Sequence, residues 1–237
     1  AFFFSFTGYV IIAAALLMMG NSFVFILGKL QKPMPMTMPV TELFYITPFF
    51  WLLLLLTTPV ITMRLFALEK FSGTFETLMT TPISDVQVVG AKFTGAVFFY
   101  MIMWLPLLGC ILIVRHYTSD PAAFDAEIVG STFLGIFLLG CVFISLGCFA
   151  SALTRSQMTA AMIGLLLCFS LFLLSFLADR LPGPDWQAQA LSMFALPEQM
   201  HDFVRGVVDT RPVILYLSLT FFFLFLTLRV LGSRRWK

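Results

Sequence analysis

The chain of 237 residues is 60% hydrophobic and 11% charged, with 29 Phe and a net charge of +2, whereas soluble domains average about 45–50% apolar and about 25% charged residues. A mean hydropathy of +0.99 argues against a soluble globular enzyme, because too much apolar surface would face water. The composition suits a bilayer, and at about 20 apolar residues per crossing the length allows six spans with their connections.

The first apolar run, Tyr9 to Gly28, follows no basic segment and is too long for a signal peptide, so it reads as a retained span. The chain opens on Ala1 rather than Met, which leaves room for an upstream segment. Asn21, the sole Asn, lies in this span beside Gly20, placed to hydrogen-bond a neighbouring helix or to face a substrate path. The next connection reads KPMPMTMPV. In an extended chain Met34, Met36 and Met38 point the same way, and soft thioether sulfur suits Cu(I). They are weak metal candidates beside the simpler reading of a proline-extended loop in a Met-rich chain.

Further spans follow at Phe44 to Leu65, Val86 to Val114, Ile128 to Leu153, Met158 to Ala178 and Val213 to Val230, each bounded by charges or prolines. The expected fold class is all-α integral membrane, one transmembrane domain over residues 1–237. Pro59 stands in the second span among Thr57, Thr58 and Thr62. Proline removes one backbone hydrogen bond, so this site is a hinge candidate or a static kink. Cys110, Cys141, Cys148 and Cys168 sit inside apolar runs without a CxxC and read as small core residues.

Between spans two and three runs RLFALEKFSGTFETLMTTP. Phe71, Phe75, Leu78 and Met79 fall at i, i+4, i+7 and i+8, which predicts an amphipathic helix over Glu69 to Thr80. Pro82 ends it, since the residue before a proline disfavours helical geometry. Ser84 and Gln87 then form a capping-box pattern, and Asp85 places an acid in the first turn of the third span. With Lys70 against Glu69 and Glu76, the polar face lacks the many bases of a headgroup-plane helix and suits a protein partner.

The stretch from Asp179 to Pro212 is 34 residues, too long for a simple turn. Met200, Phe203, Val204, Val207 and Val208 make one helical face, opened by Pro197 and Glu198. An outer helix packed on the spans is expected, with a partner-binding surface as the other reading.

Entry of the first span from the cytoplasm places eight bases and three acids inside against six bases and nine acids outside. Four of the inside bases, Arg229, Arg234, Arg235 and Lys237, follow the last span closely, so both termini are expected to be cytoplasmic. No charge lies near the middle of a span, which weighs against a proton or ion relay.

Three strings carry a family resemblance. PVITMRLFALEKFSGTFETLMTTPIS, with Pro59, Arg64, Glu69, Gly73, Thr74, Glu76, Leu78, Pro82 and Ser84, and later Gly90 and Lys92, resembles the coupling region of type-2 ABC exporter permeases, most closely the gliding-motility branch. FLGIFLLGCVFISLGCFASALTRSQMTAA is similar to that branch's fourth span and its Leu-Thr-Arg turn, and HDFVRGVVDTRPVILYLSLTFFFLFLTLRVLGSRRWK to its end. The family commonly has a basic amphipathic helix and a Ser-Pro before the first Tyr-Val; here Ser5 is followed by Phe6. The resemblance implies that residues about Glu69 to Thr80, among them Gly73, Thr74, Phe75, Glu76 and Leu78, rest in a groove on an ATPase. It implies that the segment with His201, Phe203, Arg205 and Asp209 caps the translocation path. Pairing with a second six-span subunit, identical or related, is implied as well.

ATP binding needs a phosphate loop of the GxxxxGK[ST] type, which the sequence lacks. The ATPase is therefore expected on a separate chain, with ATP and Mg bound there and no cofactor in this one. The function expected is the permease of an ATP-driven exporter in a bacterial inner membrane, in contact with lipid and with no nucleic acid. A mechanical transmitter driving an envelope complex shares the architecture. An intramembrane enzyme is the rival class, but His116 and His201 lie in different outer loops, with no HExxH, GxSxG or paired intramembrane Asp.

Overall fold

A computed structural model of the chain describes residues 6–30, 40–74, 84–118, 125–178 and 195–233. Among them are nine helices and no strand: α1 (Phe6–Leu30), α2 (Val40–Ile46), α3 (Pro48–Thr62), α4 (Ala67–Ser72), α5 (Asp85–Thr118), α6 (Ala126–Leu153), α7 (Gln157–Ala178), α8 (Leu196–Val204) and α9 (Thr210–Ser233). Six stretches are long and apolar enough to cross a membrane, as expected: Phe6–Gly28, Pro48–Ser72, Asp85–His116, Ala126–Leu153, Gln157–Ser175 and Thr210–Ser233.

The second span differs from the expected Phe44 to Leu65. Thr47 is extended (φ −71°, ψ 138°), because the ring of Pro48 disfavours helical geometry in the residue before it. The chain breaks there, and Phe44 belongs to the short α2 rather than to the span. Pro48 then opens α3 at its first turn, where its missing N–H costs nothing. α3 ends at Thr62, and the chain turns through Met63 to Phe66 into α4.

Small residues make α6 the central helix. In its most apolar window 78% of residues are buried, against 22% in α1 and α7 and 17% in α9. A side chain at Gly140 would stand 2.2 Å from the Tyr100 ring of α5, and one at Gly147 would stand 2.0 Å from Thr62 Oγ1 of α3. At Gly135 it would meet Met200 Sδ and Phe203 Cβ of α8 at 2.8 and 3.0 Å. Three helices thus rest on three glycines of one helix, the close backbone approach by which helices pack in lipid.

Aromatic rings fill the space between α2, α3, α5 and α7. Phe50 meets Trp104 at 5.3 Å and Tyr45 at 5.6 Å, and Trp51 meets Phe172 at 4.9 Å, with the rings tilted or edge-on. Trp104, Tyr100 and Phe50 are fully buried, while Leu17, Leu166, Phe221 and Phe222 stand on the outside. Cys141, Cys148 and Cys168 are buried free thiols and Cys110 is partly buried, as expected of core residues.

Candidate functional site

Two polar constellations stand at opposite ends of α6. The first gathers around α4. The opening N–H groups of a helix lack intrahelical partners, and Phe66 at the N-cap offers no side-chain acceptor. Ser151 of α6 supplies one: its Oγ accepts from Phe66 N and Ala67 N, each at 3.1 Å, and donates to Met63 O at 3.4 Å. The last turn is tied down as well, since Lys70 donates to Ala152 O. From α5, Lys92 donates to Leu65 O, pairs with Glu69 at 2.5 Å and lies 4.7 Å from the centre of the Phe66 ring. Arg64 donates to Thr7 Oγ1 of α1. The short helix and the turn that leads into it are thereby joined to α1, α5 and α6.

The exposed part of this region is its tip. Phe71, Ser72, Gly73 and Thr74 all face outward, with Phe71 78% exposed. The expected single helix over Glu69 to Thr80 is interrupted: α4 stops at Ser72, and Gly73 takes the left-handed conformation (φ 73°) that ends helices. Ser72 and Thr74 hydroxyls meet at 2.8 Å across this turn. Phe75, Glu76, Leu78 and Met79 lie outside the described residues, as do Met34, Met36 and Met38. The capping box at the start of α5 is formed, with Ser84 N donating to Gln87 Oε1 at 3.2 Å and Gln87 N to Ser84 Oγ at 3.4 Å.

The second constellation joins α2 to α8. Glu42 is buried, with its side chain 3% exposed, and its Oε1 accepts from His201 Nε2 and Arg205 Nη2, each at 3.0 Å. Burial pushes the Glu42 carboxyl up, but the hydrogen bonds and charges of Arg205 and His201 outweigh it and hold it below the usual value. The last carbonyls of α8 are satisfied by buried hydroxyls, Thr41 Oγ1 to Val204 O at 3.1 Å and Ser131 Oγ to Phe203 O at 2.6 Å. At its start, Tyr45 OH donates to Pro197 O, and Leu196 N donates to Ser175 Oγ at 3.2 Å. Burial, with the charge of Glu198, raises the Tyr45 phenol, so it acts as a neutral donor.

The family described as ABC-2 family transporter protein matches residues 6–234. The chain belongs to this ABC-2 family. No curated protein matches it.

Membership makes the chain the membrane permease of an ABC transporter, a multi-pass component, and implies partnership with an ABC ATPase. In this ABC-2 permease the sequence-derived coupling residues divide. Glu69 is turned to Lys92, while Gly73 and Thr74 are exposed at the turn. Pro59 is buried in the last turn of α3, where Thr57, Thr58 and Thr62 hydroxyls donate to carbonyls three or four residues back. A side chain at Gly164 of α7 would lie 3.6 Å from Pro59 Cβ.

Of the outer residues, His201 and Arg205 meet at Glu42 and Phe203 is buried against Gly135. Asp209 stands apart, its Oδ1 accepting from Arg211 N at 3.1 Å as it caps the start of α9. Glu42, Ser131 and Ser151 are the residues that sequence reasoning missed. A signal for Glu42 was present: His201 and Arg205 are four apart on one helical face and call for a shared acid.

Proposed function

We propose that this ABC-2 permease is half of the membrane unit of an ATP-driven exporter, in which a separate ATPase grips the exposed tip beyond α4 and moves the spans through it. The end that carries Arg64 and α4 then faces the cytoplasm, in keeping with the eight bases assigned to that side. A second six-span subunit completes the path. The observation that carries this reading is the wiring of α4. Its tip is exposed, yet Ser151, Lys70 and Lys92 join its base to α5 and α6, so a displacement at Phe71 is delivered to several spans at once. A helix that only anchored the chain in the headgroup plane would need no such ties.

The test replaces Phe71, Phe75 and Glu76 with Ala in the full permease. Co-purification of the ATPase and transport should both fall while membrane insertion is unchanged, because Phe71 makes little contact with the rest of the chain. Unaltered ATPase association in the triple variant overturns the proposal.

A further inference from the structure

A cavity of about 430 Å³ opens between the first turns of α1 (Thr7, Gly8, Ile11), the end of α3 with Arg64, α4, and the part of α5 that carries Lys92. It owes its room to small residues: Gly8, Ala91 and Gly95 line it, and a Cβ added at Gly95 would meet nothing within 4 Å. Its walls are of two kinds. Ile11, Val60 and Leu68 are apolar, while Arg64 and Lys92 bring two positive charges. Among the described lining residues the one acid, Glu69, pairs with Lys92 at 2.5 Å.

We propose that this cavity binds the headgroup of an anionic phospholipid, with Arg64 and Lys92 meeting the phosphate and the apolar wall meeting the first carbons of the acyl chains. Position supports it. Thr7 is in the first turn of α1, and Arg64 stands two residues past Thr62, the last of α3, so the cavity lies near the ends of these two helices, where headgroups sit. Charge supports it too, since two bases against one acid favour an anion and arginine's planar fork of N–H groups matches a phosphate. Lys92 has three N–H donors, of which Leu65 O and Glu69 take two. The apolar wall offers a free inorganic ion no contact, whereas the first acyl carbons of a lipid would cover Ile11, Val60 and Leu68. Beyond the cavity, Val10 and Leu17 stand exposed on α1, a surface along which acyl chains can lie. The proposal is independent of the ATPase and of which side the Arg64 end faces.

The test is native mass spectrometry of the full chain in detergent with equal amounts of phosphatidylglycerol and phosphatidylcholine of matched chains. Wild type should retain the anionic lipid in excess, and Arg64→Gln should cut that excess about fivefold, from the contribution of one base near a membrane surface. Gly95→Leu keeps both bases but fills the cavity, and should cut it similarly with helix content unchanged by circular dichroism. If Arg64→Gln fails to fold, Gly95→Leu decides. Equal retention of the two lipids by wild type, or an undiminished excess in Gly95→Leu, overturns the site. Displacement of the lipid by inorganic phosphate would mean a free-anion site, and overturns the lipid assignment.

Discussion

Ser131 and Phe203 are joined by a buried 2.6 Å hydrogen bond, hydroxyl to carbonyl, which fastens the end of α8 to the first turns of α6. Thr41 does the same for the next carbonyl from α2. Ser131→Ala should therefore lower the melting temperature by an amount equivalent to about 1–3 kcal/mol, the cost of leaving a buried carbonyl unmet. Protease cleavage after Arg205 should quicken in the variant, and a rate equal to wild type counts against α8 being held this way.

Glu42 sets the pH response of the same contact. Its folded carboxyl lies below the usual range, burial being outweighed by Arg205 and His201. Its stabilisation is then complete above the unfolded carboxylate value of about 4.3 and is lost as pH falls through the lower folded value. Melting measured across pH should show a component lost in that acid window in wild type and missing in Glu42→Gln. The same acid loss in both would assign it to another group.

Ser151→Ala removes the acceptor for two N–H groups of α4. A lost cap costs about 1 kcal/mol in helices generally, so a modest fall in melting temperature is expected. Coupling should fall further than stability, read as transport per ATP hydrolysed by the assembled transporter. A variant with wild-type coupling would mean that α4 transmits without its tie to α6.

Glycine contacts give a paired test. Gly140→Ala and Gly147→Ala place a methyl group within 2.2 Å of Tyr100 and 2.0 Å of Thr62 respectively, while Gly90→Ala and Gly109→Ala enter open space. The first two should destabilise by about 1–3 kcal/mol, the usual range for overpacking, and the second two should be near neutral in thermal melting.

Topology is tested by single cysteines at Thr77 and Asp185, labelled from outside intact cells in a background without the four native thiols. Labelling at Asp185 alone is expected. Labelling at Thr77 alone would falsify the cytoplasmic placement of the α4 end.

Much of this architecture is legible from the residues alone. Five of the six spans follow from apolar run length, and the Ser84–Gln87 cap follows from local spacing that needs no tertiary context. The second span begins later than its apolar run, at Pro48, because that run continues through the break at Thr47, so hydropathy hides what proline stereochemistry dictates. At Gly73 the amphipathic period likewise runs on across a residue that terminates the helix. Glu42 and His201 are 159 positions apart, and Ser151 lies 85 from Phe66. No periodicity links such pairs, and a buried acid in an outer helix looks in sequence like any solvated charge.

Ser131 and Ser151 belong to one unbroken helix, so the bond that fastens α8 and the bond that caps α4 are set about 30 Å apart along a single rod at 1.5 Å per residue. Neither end can twist without loading the other, because α6 has no proline along its length. Genetic interaction should follow. A lesion that loosens α8 ought to be rescued by second-site changes near Ser151 and Ala152 more often than by changes of equal size on α7 or α9, whose apolar stretches are mostly not buried within the chain.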